Sequence, residues 1–513
     1  MTPDQLARLL GEFLAEAPAA VVLEDGVELF DLARARYSVT GEHGACLIHI
    51  WSDERNVVRR VHEAEHSKDV LRLEVHRFGQ TKYTTLEICR QRDRRTPSQK
   101  RSARSSYARL LPAVLERAFP GWKLQELSTA SDLTRSFGPI YARGLQRRGQ
   151  SAFAILGVNP QEDQASIDAA LTIGLLWLQH CRERDVHLLV EGLRLVVPAG
   201  TSSVVRERMA HLDRDAARFE LYELADRSRD LLEIDAADRG NMATRLVRAT
   251  HDAAVRERFA ASIFRVSGTC ERADVAVLSP TEISFRLCGL EFARASLVQE
   301  SGSFRNTEQL TFGFGASASV VTKETAADFR RFLKNLDRAR RAHGRRSDPL
   351  FRMHPERWLE SLVVKDVSGL DGRLDTTHVY SQVPAFSAAD RAMIDVLCAT
   401  RDSRLAVLEL KADEDIHLPL QAVDYWARVR WHHSRREFQK YGYFPGRELS
   451  PASPLLLMVC PSLRIHPATD TLLRYISPEI EYELLGIDEH WREHLRVVFR
   501  KRRQDRLAAS ARR

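Results

Sequence analysis

Residues 391–426 read RAMIDVLCATRDSRLAVLELKADEDIHLPLQAVDYW, and their patterning decides the fold. AMIDVLCAT has the apolar, β-branched character of a strand, RDS that of a tight turn, and RLAVLELKA that of a second strand, so a hairpin is predicted. Side chains alternate along a strand, which puts Glu409 and Lys411 on one face and lets Asp395 reach that face from the neighbouring strand. Two carboxylates gathered there suit a hard divalent cation, and a lysine beside it can orient or deprotonate a water that attacks a phosphodiester. Glu-x-Lys on its own is common at solvated strand ends. It gains meaning here from Asp395, the hairpin, the apolar strand and the amphipathic helix LPLQAVDYWARVRW that follows, in which Gln421 and Tyr425 sit four apart on one face.

Outward from the hairpin, PERWLESLVVKDV reads as a preceding helix and RLDTTHVYSQV as a first strand. MVCPSLRIHP, a helix and IEYELLGI follow. This order, with Asp395 and Glu409-Leu410-Lys411 on adjacent strands, resembles the PD-(D/E)XK nuclease superfamily over about residues 350–490. Gln421 and Tyr425 resemble the Gln-x-x-x-Tyr signature of its RecB-like branch. The literal Pro-Asp pair is missing, since Pro384 lies well before Asp395. The resemblance implies a restriction-endonuclease-like α/β core and a Mg²⁺ (or Mn²⁺) ion held by Asp395, Glu409 and the backbone carbonyl of Leu410. Lys411 would position the water, and Gln421 and Tyr425 would hold the substrate backbone or support the site. Glu360 on the first helix would either reach the metal or stand as a surface carboxylate. Asp413, Glu414 and Asp415 read as a solvated cluster, and His417 as a helix-start residue that could also face the site.

The chain has 513 residues and a net charge of +7. That length exceeds one core. Seven scattered cysteines form no Cys-x-x-Cys pair, which argues against zinc and disulfide frameworks. The start, MTPDQLARLLGEFLAEAP, lacks the basic flank of a signal peptide, and no apolar run approaches membrane-spanning length. A soluble cytoplasmic protein without a membrane partner is expected. No phosphate-binding Gly-x-x-x-x-Gly-Lys-Ser/Thr loop is present, so ATP hydrolysis is not expected, and neither a Gly-x-Ser-x-Gly elbow nor His-Glu-x-x-His occurs.

Charge is segregated. Residues 90–109 sum to +7, residues 330–346 to +7 and residues 500–513 to +6, leaving −13 for the rest. Such segments either attract a phosphate backbone or are solvated linkers. Arg94, Arg95, Lys100 and Arg101 in the first are candidate phosphate contacts. Trp51 and Arg55, with Arg59 and Arg60, could stack on bases and grip phosphates, or be a core tryptophan beside solvated arginines.

Between the first basic segment and the hairpin region a similar series recurs: YARLLPAVLERAF, WKLQELS, YARGLQRRGQSAFAILGVN, ASIDAALTIGLLWLQHC, HLLVEGLRLVVP and RFELYEL. Laying SAFAILGVN on SRLAVLELK puts Arg143, Gly157 and Asn159 where Asp395, Glu409 and Lys411 stand, so every catalytic position is lost. The expected organisation is a duplicated, mixed α/β (α+β) chain, each copy preceded by a small β-rich module. Its boundaries are 1–106 (β-rich, with a basic linker), 107–235 (degenerate nuclease-like), 236–348 (second β-rich module with a basic helix), 349–499 (nuclease) and 500–513 (basic tail). The function expected is hydrolysis of phosphodiester bonds in nucleic acid, DNA rather than RNA, in repair, recombination or defence, with a homodimer or larger assembly open. The alternative is a non-cleaving nucleic-acid-binding scaffold.

Overall fold

The computed structural model describes residues 2–503 apart from 18–19, 25–26, 33–34, 42–44, 52–55, 68, 77–82, 91–96, 133–134, 226–227, 241, 243, 250–251, 300–305, 315–317 and 388–390. It is a mixed α/β protein of several sheets. The chain divides into two compact units, residues 1–97 with 311–326, and residues 98–310 with 327–513.

In the first unit, helix Pro3–Glu16 opens with a capping box in which the Thr2 hydroxyl accepts from the Gln5 amide and the Gln5 side chain accepts from the Thr2 amide. Its Leu6, Leu10, Phe13 and Leu14 face a seven-stranded antiparallel sheet built from residues 21–89. Arg59 is buried in that sheet and holds Glu24 through two hydrogen bonds of 2.6 and 2.9 Å, so it is a structural pair and not a phosphate ligand. Trp51 ends the strand Cys46–Trp51, while Arg55 lies outside the described residues.

The second unit holds two sheets of matching design. The first half runs α1 (Pro97–Ala118), β1 (Lys123–Ser128), β2 (Tyr141–Arg148), β3 (Ser151–Val158), α2 (Ala170–Arg184), β4 (Leu189–Pro198), α3 (Ser203–Met209), β5 (Arg218–Leu224) and β6 (Leu231–Ile234). The second half runs α4 (Pro355–Lys365), β7 (Tyr380–Ser387), β8 (Arg391–Ala399), β9 (Leu405–Leu410), α5 (Leu418–Ser434), β10 (Leu455–Pro461), α6 (Thr469–Arg474), β11 (Tyr482–Ile487) and β12 (Val497–Arg502). Each sheet lists its strands in chain order. The first three in each are antiparallel neighbours, the next two join in parallel, and the last is antiparallel. Thr244–Leu246 adds a seventh strand beside β7.

β9 and β10 are buried along their whole length, which is why they read as near-continuous apolar runs. In β9, Ala406, Leu408 and Leu410 pack toward α4, and Leu405 and Val407 toward α5. Between the halves, Asp274–Ser279, Glu282–Leu287 and Leu290–Gln299 form an antiparallel meander, and helix Ala326–Ala339 follows.

Two expectations change. The stretch read as a basic linker is helical from Pro97 onward, and Arg104 within it is tied to Glu162 at 2.7 Å. In the second basic segment, Arg340 is fully buried, donating to the carbonyls of Leu350, Met353 and Cys288 and stacking on Trp358 at 4.4 Å. A buried guanidinium whose two terminal nitrogens donate to three carbonyls is a cross-link between loops, not a free cation. No helix among the described residues is long and apolar enough to cross a membrane.

Candidate active site

Asp395 and Glu409 face each other across the β8–β9 hairpin, one step along the ladder from Val396 and Leu408. The turn is residues 401–403, with Ser403 taking the left-handed φ of 68°. Asp395 accepts a hydrogen bond from the Leu410 amide at 3.0 Å, which ties its carboxylate to the end of β9. Lys411 lies 3.4 Å from Glu409, 3.5 Å from Asp415 and 3.9 Å from Glu356. Asp415, read as solvated, is therefore a partner of the lysine, and Asp413 lines the adjoining cavity.

That cavity of about 480 Å³ is bounded by His354, Pro355, Glu356, Arg357, Glu360, Asp395 and Asp413. Helix α4 begins over it: Pro355 takes the first helical position, where its missing amide costs nothing. Glu356 and Glu360 then fall one turn apart on the same face. Glu360, of the two readings open to it, is the buried one at 6% exposure, bonded by Arg357 at 3.0 Å and by Gln382 at 2.7 Å. Gln382 also reaches Asp395 at 3.4 Å. It has a φ of 51° in the middle of β7, a conformation costly for a residue with a side chain. An outlier of this kind, bonding two site carboxylates, marks a constrained site.

The electrostatics are strained in one direction. Burial raises the carboxyl pKa of Asp395, Glu356 and Glu360, and that of Glu409 is raised well above its ordinary value by burial and then by the charge of Asp395. Glu409 is 2% exposed, and its Oε2 has no hydrogen-bond partner. Burial works to lower the Lys411 pKa, but Glu409, Glu356, Asp415 and Asp395 outweigh it, so the ammonium stays charged. Carboxylates crowded with one orphaned oxygen suit a divalent cation, which would supply the missing charge and accept the lone pairs. Two carboxylates plus a carbonyl fit magnesium, which keeps several waters and needs few protein ligands. Among the described residues no group of three His, Cys, Asp or Glu side chains gathers as a ready-made cage.

On α5, Tyr425 lies near enough to Glu409 and Asp395 that their charges add to burial in pushing its hydroxyl pKa upward. Gln421, one turn earlier, has a buried side-chain oxygen without a partner. His417 does not turn to the site but bonds Thr172 of α2 at 3.0 Å. Arg94 and Arg95 lie outside the described residues, and Lys100 and Arg101 sit on α1, away from this cavity's lining. Sequence reasoning missed Glu356, Arg357 and Gln382. The four-residue spacing of Glu356 and Glu360 was a usable signal, whereas nothing local announces the φ of Gln382.

No family model matches the chain, and no curated protein does. Among solved structures, it is similar to an EndoMS–dsDNA complex ("Structure of EndoMS-dsDNA2 complex"), at 16% identity over 44% of this chain and 95% of that one, with a TM-score of 0.17. It is also similar to a repair endonuclease from Pyrococcus abyssi, at 12% identity over 44% and 96%, again with a TM-score of 0.17. At so low a TM-score neither likeness bears on what this chain does.

Proposed function

We propose that the chain is a metal-dependent nuclease of the PD-(D/E)XK type, RecB-like branch, hydrolysing phosphodiester bonds of DNA. The observation that carries this reading is the buried, partnerless Glu409 oxygen beside Asp395, with charged Lys411 next to both. Asp395, Glu409 and the Leu410 carbonyl would hold Mg²⁺ or Mn²⁺. When bound, that ion would polarise the scissile phosphate and offset its developing charge. Lys411, kept cationic by Glu409, Glu356 and Asp415, orients the attacking water and stabilises the phosphorane oxygens. Gln382 and Arg357 fix the Glu360 carboxylate at the cavity wall. Gln421 and Tyr425 would position the substrate backbone from α5.

The second reading, a non-cleaving scaffold, is favoured by the first half, where Arg143 is buried against Phe137 and Trp177. One experiment separates them: purified protein incubated with linear and circular, single- and double-stranded DNA and with RNA, in Mg²⁺, Mn²⁺ or EDTA. Cleavage that needs the metal supports the nuclease; undiminished cleavage in EDTA sinks the mechanism; binding without cleavage in either metal supports the scaffold.

A further inference from the structure

Where the two halves of the second unit meet, they exchange equivalent contacts. Leu212, just past α3, forms an antiparallel bridge with Ile476, just past α6. On either side the Asp213 amide donates to the Tyr475 carbonyl at 2.7 Å, and the Ser477 amide to the His211 carbonyl at 2.9 Å. Exchanging the halves carries residues 211–213 onto 475–477 and returns the same set of bonds. The helices follow suit: α6 packs on α2, and α3 on α5. Tyr475 donates to Gln179 on α2 at 3.0 Å, while its counterpart His211 packs edge-on against Trp426 on α5 with centroids 5.7 Å apart. This is the isologous contact of a two-fold dimer, made inside one chain.

The register then matches the two sites residue by residue. Leu156 pairs in parallel with Leu195, and Glu409 with Met458. Leu195 and Met458 each precede a strand-ending proline, Pro198 or Pro461, by the same interval. Leu156 is thus the counterpart of Glu409 and Val158 of Lys411, one place from the alignment on Gly157 and Asn159. Gly157 faces α1 instead, where an added Cβ would meet the Tyr107 hydroxyl at 2.6 Å. Arg143, opposite Leu156, remains the counterpart of Asp395. It is buried, donates to the Ala130 carbonyl, and stacks on Phe137 and Trp177 at 4.8 and 5.7 Å.

We propose that the chain is a two-fold dimer in a single polypeptide with one working centre, and that it therefore cuts one strand of a duplex per encounter and leaves a nick. The inference rests on the nuclease reading above. The two strands of a duplex are related by two-fold axes, and symmetric proteins align their own axis with one of them, offering one equivalent site to each strand. Here the second strand would meet Arg143, Leu156 and Val158, which bind no metal and activate no water. Each event is a single hydrolysis: the water oxygen bonds to phosphorus, one P–O ester bond breaks, and the leaving oxygen takes up the proton that the water releases.

The test uses the full chain in molar excess over supercoiled plasmid in Mg²⁺, sampled through the first turnover, with single-stranded circles and an EDTA control alongside. The open circle should accumulate as the first product, with linear DNA arising only later from nicked molecules, and Asp395→Asn should abolish both. Linear product formed directly, without an open-circle intermediate, overturns the inference while leaving the nuclease reading intact. So does cutting confined to single strands; residual nicking by a folded Asp395→Asn protein would place a working centre elsewhere and overturn this inference together with the assignment of the metal to Asp395. Absence of cleavage on every substrate in both Mg²⁺ and Mn²⁺ removes the nuclease reading, and this inference with it.

Discussion

The two sheets of the second unit solve the same packing problem with opposite treatments of one corner. In the first half, Arg143 lies against aromatic faces and a carbonyl, and β3 is buried and apolar beyond its first residue. In the second, Asp395, Glu409, Glu356 and Glu360 all have raised pKa values around one cavity, and Glu409 keeps an oxygen without a partner. A cavity of about 450 Å³ in the first half is lined by Ser102, Ser106, Tyr107, Asn159, Gln161 and Arg229 among others, with no carboxylate among the described residues. The sheet needs only the apolar run to fold, so the charged corner is a cost that stability does not repay. Carboxyls perturbed by burial in this way cluster at functional sites across proteins.

The largest effect expected from breaking this contrast is on catalysis. Asp395→Ala, Glu409→Ala and Lys411→Ala should each slow cleavage at least a hundredfold, a loss of roughly 3 kcal/mol of transition-state stabilisation. Far-UV circular dichroism should be unchanged, and single-turnover rates measure the loss. A folded Lys411→Ala protein with full activity would remove the lysine from the mechanism.

Much of that corner was legible because hairpin and helix signals are local. The alternation around Asp395, Glu409 and Lys411 and the three-residue turn at 401–403 stand in the structure as the sequence pattern suggests. What failed to show was non-local. The first strand begins at Tyr380 rather than near Arg373, because residues 373–377 are held in turns by Asp371, Asp375 and Arg447. Charge runs were illegible in principle, since composition counts an arginine without revealing its partner. Arg340 is enclosed by three carbonyls, and Arg500 is bonded to Asp371 and Glu483. Residues 504–513 of the basic tail lie outside the described residues.

A comparable stability effect is expected at the seam between the halves. Arg208 of α3 donates to Asp424 on α5 at 2.9 Å and to the Asp168 carbonyl at 2.6 Å, and both charged side chains are nearly buried. Arg208→Met leaves Asp424 uncompensated and should destabilise the fold by about 3 kcal/mol, whereas Arg208→Met with Asp424→Leu should recover most of it. Denaturant midpoints measure this. Asp424 adjoins Tyr425, so the single variant should also lower kcat more than it raises KM, and equal changes would restrict the pair to a structural role.

A smaller effect, of opposite sign, is expected at Glu409. Its folded pKa is raised, so its contribution to stability is complete below the unfolded value of about 4.3 and is lost as pH rises through the folded value. Glu409→Gln carries no such loss. In metal-free buffer the variant should match the native protein in acid and exceed it at neutral pH by on the order of 1 kcal/mol, while being inactive. Added Mg²⁺ should raise the melting temperature of the native protein and leave the variant unmoved. A variant less stable at neutral pH would mean that Glu409 is satisfied as it stands.

The smallest expected change concerns binding, and it sorts the basic residues into cross-links and contacts. Each phosphate neutralised on duplex DNA contributes about −0.9 to the log–log slope of affinity against salt. Replacing Arg94, Arg95, Lys100 and Arg101 by Ser should flatten that slope by about 0.9 for each residue that touches a phosphate, and weaken binding to all sequences alike. Arg340→Met offers the contrast: its guanidinium is enclosed, so it should lower the melting temperature and leave the slope alone. Affinities measured from low to moderate salt for the three proteins decide between the two roles. An unchanged slope in the quadruple variant would show that the substrate's phosphates are held elsewhere. A flattened slope for Arg340→Met would mean that burial does not remove an arginine from the binding surface, and that an enclosed cation still contacts phosphate.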